Sequence, residues 1–226
     1  MDNIDRLIQD IEREIVLTRS MIGKDAFDPR VMEAMRGIPR EQFVPDDERA
    51  LAFRNGPLPI GYGQTISQPY MVALMTDLLA PEPDDVILEV GTGSGYQAAV
   101  LSRLVRKVYS MERIEELAEE ATARLHRLHY DNVEVRHGDG YFGWPEHAPF
   151  DGIIVTAAAP HVPQPLVEQL RPGARRVIPV GGVFSAQELI VVERGLDGRV
   201  HSREVLGVAF VPLTGADHVQ PAEGVE

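Results

Sequence analysis

Between residues 89 and 95 the chain reads Glu89-Val90-Gly91-Thr92-Gly93-Ser94-Gly95, an acid followed by three alternating glycines. Glycines at this spacing let backbone approach a ligand closely, and a strand-to-helix turn is where a doubly wound sheet opens its ligand crevice. Tyr96 stands where a dinucleotide fingerprint needs its last glycine, and no G-x-x-x-x-G-K-[ST] string occurs. A G-x-S-x-G nucleophile elbow fails at Thr92. A carboxylate ahead of the glycines repels a pyrophosphate and suits a ligand carrying an ammonium or sulfonium group. Glu112 follows Gly91 by 21 residues, the spacing at which an acid accepts hydrogen bonds from ribose hydroxyls. Gly138-Asp139-Gly140 ends a third strand and places a polar residue where an adenine would lie. Taken singly these are ordinary features: a βα connection, a helix cap, a solvated acid. Their order along one sheet is what points to a nucleoside with a cationic tail.

The elements that position them follow from periodicity. Val86–Val90, Lys107–Met111, Val133–Arg136, Phe150–Thr156 and Arg176–Val180 read as strands. Helices are expected between them at Tyr96–Val105, Ile114–Leu128 and Pro163–Leu170. That alternation predicts an α/β, Rossmann-like doubly wound sheet. Leu189–Glu193 and Val200–Val208 follow without a helix, joined by a hairpin at 194–198, so the C-terminal edge is antiparallel and the sheet mixed. Ahead of the sheet, Ile4, Leu7, Ile8, Ile11 and Ile15 mark one face of a helix over residues 2–22. Asp28-Pro29 caps a second helix that stops before Pro39. A third helix runs from Pro69 to about Ala80. Residues 55–69 are rich in Gly and Pro and are expected to form a long irregular loop, and such loops are more often functional than idle. A single domain is expected: N-terminal helices and loop over 1–80, an α/β core over 81–214, and a polar tail over 215–226.

Composition narrows the function. The chain has 226 residues, 44% hydrophobic, with a formal net charge of −13 and no cysteine. One sizeable core is expected at this length. The acidic balance disfavours a duplex nucleic-acid partner, and no apolar run approaches the length of a membrane span. Without cysteine there is no disulfide, thiol nucleophile or thiolate metal site. Acids in Met1–Asp5 speak against a signal peptide, and the expected setting is the cytoplasm.

Val86–Gly95 resembles the first motif of class I S-adenosylmethionine-dependent methyltransferases, Glu112 their ribose-binding acid and Gly138–Gly140 their adenine-side loop. The resemblance implies that Glu89 and the Gly91, Gly93, Ser94 and Gly95 backbone face the methionine half of S-adenosyl-L-methionine. It likewise implies that Glu112, Asp139 and Gly140 hold its nucleoside, with S-adenosyl-L-homocysteine as product and no metal. Further strings, Pro39–Pro45, Leu58–Met71, Arg136–Gly140, Pro149–Ala158, Arg171–Gly173, Ile178–Gly181 and Phe210–Thr214, resemble the protein-L-isoaspartate O-methyltransferases. The resemblance runs from about Ile15 to Thr214, and Gly63-Gln-Thr-Ile-Ser-Gln-Pro69 is its most specific part.

The resemblance implies methyl transfer to the α-carboxyl of L-isoaspartyl residues in aged proteins and peptides; the ester then closes to a succinimide that can reopen as aspartate. Ser67 would be the active-site serine, with Thr65, Ile66 and Thr214 beside the substrate. A carboxylate nucleophile with a pKa of about 3.9 is ionised at neutral pH and needs no general base. That agrees with the lack of a Ser-His-Asp set. The rival readings are a small-molecule methyltransferase of the same fold and a non-catalytic cofactor-binding protein. No nucleic-acid or membrane partner is expected, and a monomer is favoured.

Three stretches depart from the family pattern: Tyr62, where a small polar residue or His is expected; Arg54-Asn55-Gly56; and Ala174-Arg175-Arg176, expected to be a surface change. Ser67 also has a structural reading as the N-cap of the helix at Pro69. His126 and His129 fit a solvated helix face better than a metal site, His137 a backbone-satisfied role, and Tyr141, Phe142 and Trp144 packing beneath a loop.

Overall fold

A computed structural model describes residues 3–182 and 185–215. The polar tail expected beyond Gly215 lies outside the described residues. Strands β1 (Leu58–Gly61) and β2 (Gln64–Ile66) form a small antiparallel pair, and seven further strands form the main sheet. These are β3 (Val86–Val90), β4 (Lys107–Glu112), β5 (Val133–His137), β6 (Phe150–Val155), β7 (Leu170–Val180), β8 (Gln187–Arg194) and β9 (Val200–Val208). The sheet order is β5-β4-β3-β6-β7-β8-β9, parallel as far as β7 and antiparallel from β7 to β9. The chain therefore winds outward from β3 to one edge and then returns to β6 on its other side. This reversal creates the topological switch point where such sheets bind ligands.

The helices are α1 (Asn3–Ile22), α2 (Pro29–Gly37), α3 (Pro69–Leu79), α4 (Tyr96–Ser102), α5 (Glu115–Arg127) and α6 (Gln164–Glu168). One apolar cluster joins α1 to α5 to one face of the sheet; it includes Leu7, Ile11, Leu74, Ile87, Val108 and Leu125. A second cluster on the opposite face gathers Leu88, Val90, Ile153, Leu166 and Ile178. Alternation along β3 separates the faces, Ile87 going to the first and Leu88 to the second. Leu7, Ile8, Ile11 and Ile15 are buried, as their spacing predicts, and Asp28 caps α2 by accepting from the Arg30 amide at 2.8 Å.

The expected irregular loop over 55–69 instead contains the β1–β2 hairpin. Leu58, Ile60 and Ile66 bury their side chains, while Gly61, Tyr62 and Gly63 all take positive φ to make the turn. Three adjacent residues in that region require glycine at most positions, so the Gly content that suggested an irregular loop builds the hairpin. The helix expected to reach Leu170 stops at Glu168, because Leu170 already pairs with Phe150 and opens β7. Likewise α4 ends at Ser102 rather than Val105.

Candidate active site

At the C-terminal ends of β3, β4 and β6 lies a cleft of about 750 Å³, counting its open mouth. One wall is Gly91–Ser94 with Glu112, Arg113, Ile114 and Gly140; the facing wall is Gln64–Ser67; Thr156, Ala157 and Val211–Thr214 close the third side. The glycine turn and the Ser67 loop, 22 residues apart at their nearest named members Ser67 and Glu89, thus share one space.

The glycine wall is built for close approach. Gly91 has φ +97°, and a Cβ there would lie 2.4 Å from Thr156 Oγ1, whose hydroxyl donates to the Gly91 carbonyl at 2.6 Å. No side chain fits. Glu112 spans the turn, its Oε2 accepting from Gly93 N at 2.8 Å and its Oε1 from Ile114 N at 3.0 Å. Each carboxylate oxygen accepts through two lone pairs, so Glu112, which lines the cleft, keeps acceptor capacity. Gly95 packs on Leu125 rather than lining the cleft. Gly140 lines it, and Asp139 lines the adjoining hollow with Tyr141, Leu213 and Thr214 while accepting from the Tyr141 amide at 3.0 Å.

Glu89 differs from its expected placement. Its side chain is fully buried on the face shared by Ile87, behind the cleft wall, and is not among the lining residues. Ser110 Oγ donates to Glu89 Oε2, and Ser110 exchanges a 2.6 Å hydrogen bond with Thr92 Oγ1. Burial pushes the Glu89 carboxyl up to about 8, against the lowering effect of Ser110, and nearby Glu112 adds to the rise. The carboxyl is therefore mostly protonated at neutral pH, and among the described residues its side chain reaches the glycine turn through Ser110 and Thr92. Strand alternation explains the difference, since the residue before the last of β3 points toward the helix layer.

On the opposite wall Ile66 is buried, whereas Thr65 is exposed and Ser67 half-buried. The N-cap of α3 is Gln68, with no side-chain cap bond, so Ser67 does not cap the helix. The Thr214 segment reaches the cleft because residues 211–213 run beside Ala158, with Ala158 N donating to Val211 O and Leu213 N to Ala158 O, both at 2.8 Å. Gln187 fixes this crossing: its Oε1 accepts from Phe210 N at 2.6 Å and its Nε2 donates to Phe210 O at 3.1 Å. Sequence reasoning missed Gln187, Ser110 and Thr156, because no local motif marks a side chain that serves backbone distant in the chain.

The remaining singled-out residues fall outside the cleft. Tyr62, at the hairpin tip, donates to Glu120 on α5 at 3.2 Å. His126 and His129 are exposed, and His137 contacts the Arg113 carbonyl at 3.1 Å. No group of three or more potential metal ligands occurs among the described residues. Trp144 is buried against Tyr109 and His147. The expected surface change at Ala174–Arg176 is not one, because Arg176 is completely buried and donates to the Pro163 carbonyl at 3.2 Å. It lies on the central part of β7, between β6 and β8.

Residues 14–218 match the family model of protein-L-isoaspartate(D-aspartate) O-methyltransferase (PCMT). The chain belongs to this family. Protein-L-isoaspartate O-methyltransferase 2 of Syntrophobacter fumaroxidans is 62% identical over 93% of this chain and 85% of its own length. The enzyme of the same name from Nitrosococcus oceani is 62% identical over 94% and 97%. A solved protein-L-isoaspartate O-methyltransferase superposes with a TM-score of 0.82 at 27% identity, covering 95% of this chain and 67% of the other. A crystal structure described as a beta-aspartate methyltransferase (PCMT) from Plasmodium falciparum, in complex with S-adenosyl-L-homocysteine, shares the fold with a TM-score of 0.76 at 24% identity, covering 95% and 99%. The PCMT fold accounts for the mixed sheet with its antiparallel edge.

Proposed function

We propose that this cleft transfers a methyl group from S-adenosyl-L-methionine to the α-carboxyl of L-isoaspartyl residues in aged proteins and peptides, initiating repair through a succinimide. The observation that carries the reading is the single cleft between the Gly91–Ser94 turn and Ser67. The residues fit the cofactor: bare backbone lining the cleft at Gly91, where Thr156 leaves no room for a Cβ, and a carboxylate at Glu112 with acceptor capacity left over. When bound, S-adenosylmethionine supplies an electrophilic methyl on a sulfonium.

The protein's own part is positioning. Gly91, Gly93 and Ser94 offer backbone for the methionine half, and Glu112 accepts from the ribose. Asp139 and Gly140 flank the adenine. Glu89, without access to the cleft, supports the turn from behind, and Gly95 seats it on α5. Ser67 donates its hydroxyl to the substrate carboxylate and holds one oxygen in line for attack. Thr65 and Ile66 bind the peptide along the hairpin, and Thr214 approaches from the C-terminal segment. The carboxylate is already ionised, so no base is required, and rate arises from alignment and water exclusion.

The same reading has the enzyme act as a cytoplasmic monomer without nucleic acid; its formal charge of −13 disfavours phosphate backbones. Among the described residues no helix is long and apolar enough to cross a membrane. The test is methyl transfer to an isoaspartyl peptide beside its normal aspartyl twin. Base-labile label on the first alone is expected, and label on neither, despite cofactor binding, would refute the proposal.

A further inference from the structure

Arg40 opens a short 3-10 turn (Arg40–Gln42) far from the glycine motif in sequence, and its side chain has no solvent-accessible surface. A buried cation ordinarily sits against a carboxylate. Among the described residues Arg40 has no ion-pair partner, and its guanidinium is spent on three backbone carbonyls. Nη1 donates to Ala52 O at 2.5 Å, and Nη2 donates to Gly56 O at 3.0 Å and to Ser67 O at 3.1 Å. Its Cζ also lies 5.6 Å from the ring centroid of Tyr96, the residue that follows the glycine turn and lines the cleft. One side chain thus touches the carbonyl of Ser67 and the first residue of α4.

A second grip comes from α1. Glu14 Oε2 accepts from Asn55 Nδ2 at 2.7 Å and from Gln68 Nε2 at 3.0 Å, and Asn55 Oδ1 accepts from Tyr70 N at 2.9 Å. Gln68 and Tyr70, which follow Ser67, are thus held by groups that lie outside the cleft. Burial pulls the guanidinium down to about 10, so it stays charged at neutral pH. An unpaired buried cation of this kind is a poor route to stability, because an apolar side chain of similar volume avoids the desolvation. Its geometry is the reason to keep it: a planar fork is able to fix several acceptors at once.

We infer that Arg40, assisted by Glu14 through Asn55 and Gln68, is a positioning residue that sets Ser67 at its working distance from the cofactor turn. The inference rests on the reading of Ser67 above. A displacement of about 1 Å at a reacting pair costs on the order of 100-fold in rate, so a loosened loop should lower turnover while the glycine wall still binds cofactor.

The test uses the full chain with Arg40→Lys and Glu14→Gln. Thermal melts confirm folding, calorimetry with S-adenosylhomocysteine reports the cofactor wall, and kcat and KM are measured on an isoaspartyl peptide well below each melting temperature. Amide hydrogen exchange is followed at residues 55–56 and 67–70 against 91–95. Arg40→Lys is expected to lower kcat at least about tenfold, with cofactor affinity within about threefold and faster exchange at 55–56 and 67–70 only. Glu14→Gln should act in the same direction, less strongly, and it decides the matter should Arg40→Lys not fold. A folded variant with unchanged kcat and unchanged exchange at 67–70 overturns the inference, as does equal loss of cofactor affinity. If the wild-type protein methylates no isoaspartyl peptide, the functional reading fails; faster exchange confined to the loop would still uphold the positioning role, and unchanged exchange would refute it.

Discussion

The two walls of the cleft are organised in opposite ways. The glycine wall is made at strand ends of the parallel sheet: Gly91, Gly93 and Ser94 follow β3, and Glu112 closes the neighbouring β4 and accepts from Gly93 N. The Ser67 wall is a hairpin and a helix start whose backbone is held by the side chains of Arg40 and Asn55, with Glu14 on α1 gripping the side chains of Asn55 and Gln68. A parallel sheet supplies the first wall with rigidity directly, whereas the second is built outside the sheet and borrows rigidity from distant side chains. Cofactor binding and acceptor alignment should therefore separate under mutation.

The largest separation is expected at Gly91. Gly91→Ala places a methyl against Thr156 Oγ1 at a φ of +97°, and strain of about 3 kcal/mol weakens S-adenosylhomocysteine by about 100-fold; calorimetry reads it directly. Glu112→Gln comes next. The amide cannot accept from both Gly93 N and Ile114 N, and affinity should drop about 10- to 100-fold, checked by the same titration.

Glu89→Gln should change stability more than binding. An exposed glutamate titrates near 4.3, and burial raises Glu89 to about 8. The native state then holds a proton that the unfolded chain releases. The stabilisation is full below about pH 4 and is lost as pH rises through about 8. Melting temperatures at pH 6 and pH 9 should therefore converge in Glu89→Gln relative to wild type by a few degrees, roughly. An unchanged gap would mean that Glu89 is ionised in its pocket. Smallest of all is Tyr62→Phe, which removes an exposed hydrogen bond to Glu120; kcat/KM should stay within about twofold, and a larger loss would make the hairpin tip part of the acceptor site.

The same contrast governs what the sequence revealed. The strands alternating with helices, the mixed edge and the glycine turn follow from local periodicity and turn chemistry, and Glu112 from its distance along the chain. The Ser67 loop was found through its resemblance to a family, yet its hairpin was missed because Gly-Tyr-Gly reads equally as a coil. Arg176 reads as surface by type, and only the packing of β7 between β6 and β8 shows it buried. Arg40 lies in a family-like string that gives no hint of its role, and Gln187 and Ser110 carry no local signature, since each serves carbonyls, amides or hydroxyls that the fold alone brings near. Glu89 was legible as part of a motif but not in orientation, which strand alternation decides.

The most direct test of the two-wall account is Ser67→Ala, assayed for base-labile methyl transfer to an isoaspartyl peptide and its aspartyl twin alongside S-adenosylhomocysteine affinity. Loss of one hydroxyl donor should lower kcat/KM for the isoaspartyl peptide by about 100-fold. Cofactor affinity should stay within about threefold of wild type and the aspartyl peptide should remain unlabelled. Undiminished transfer, or an equal fall in cofactor affinity, would contradict the account.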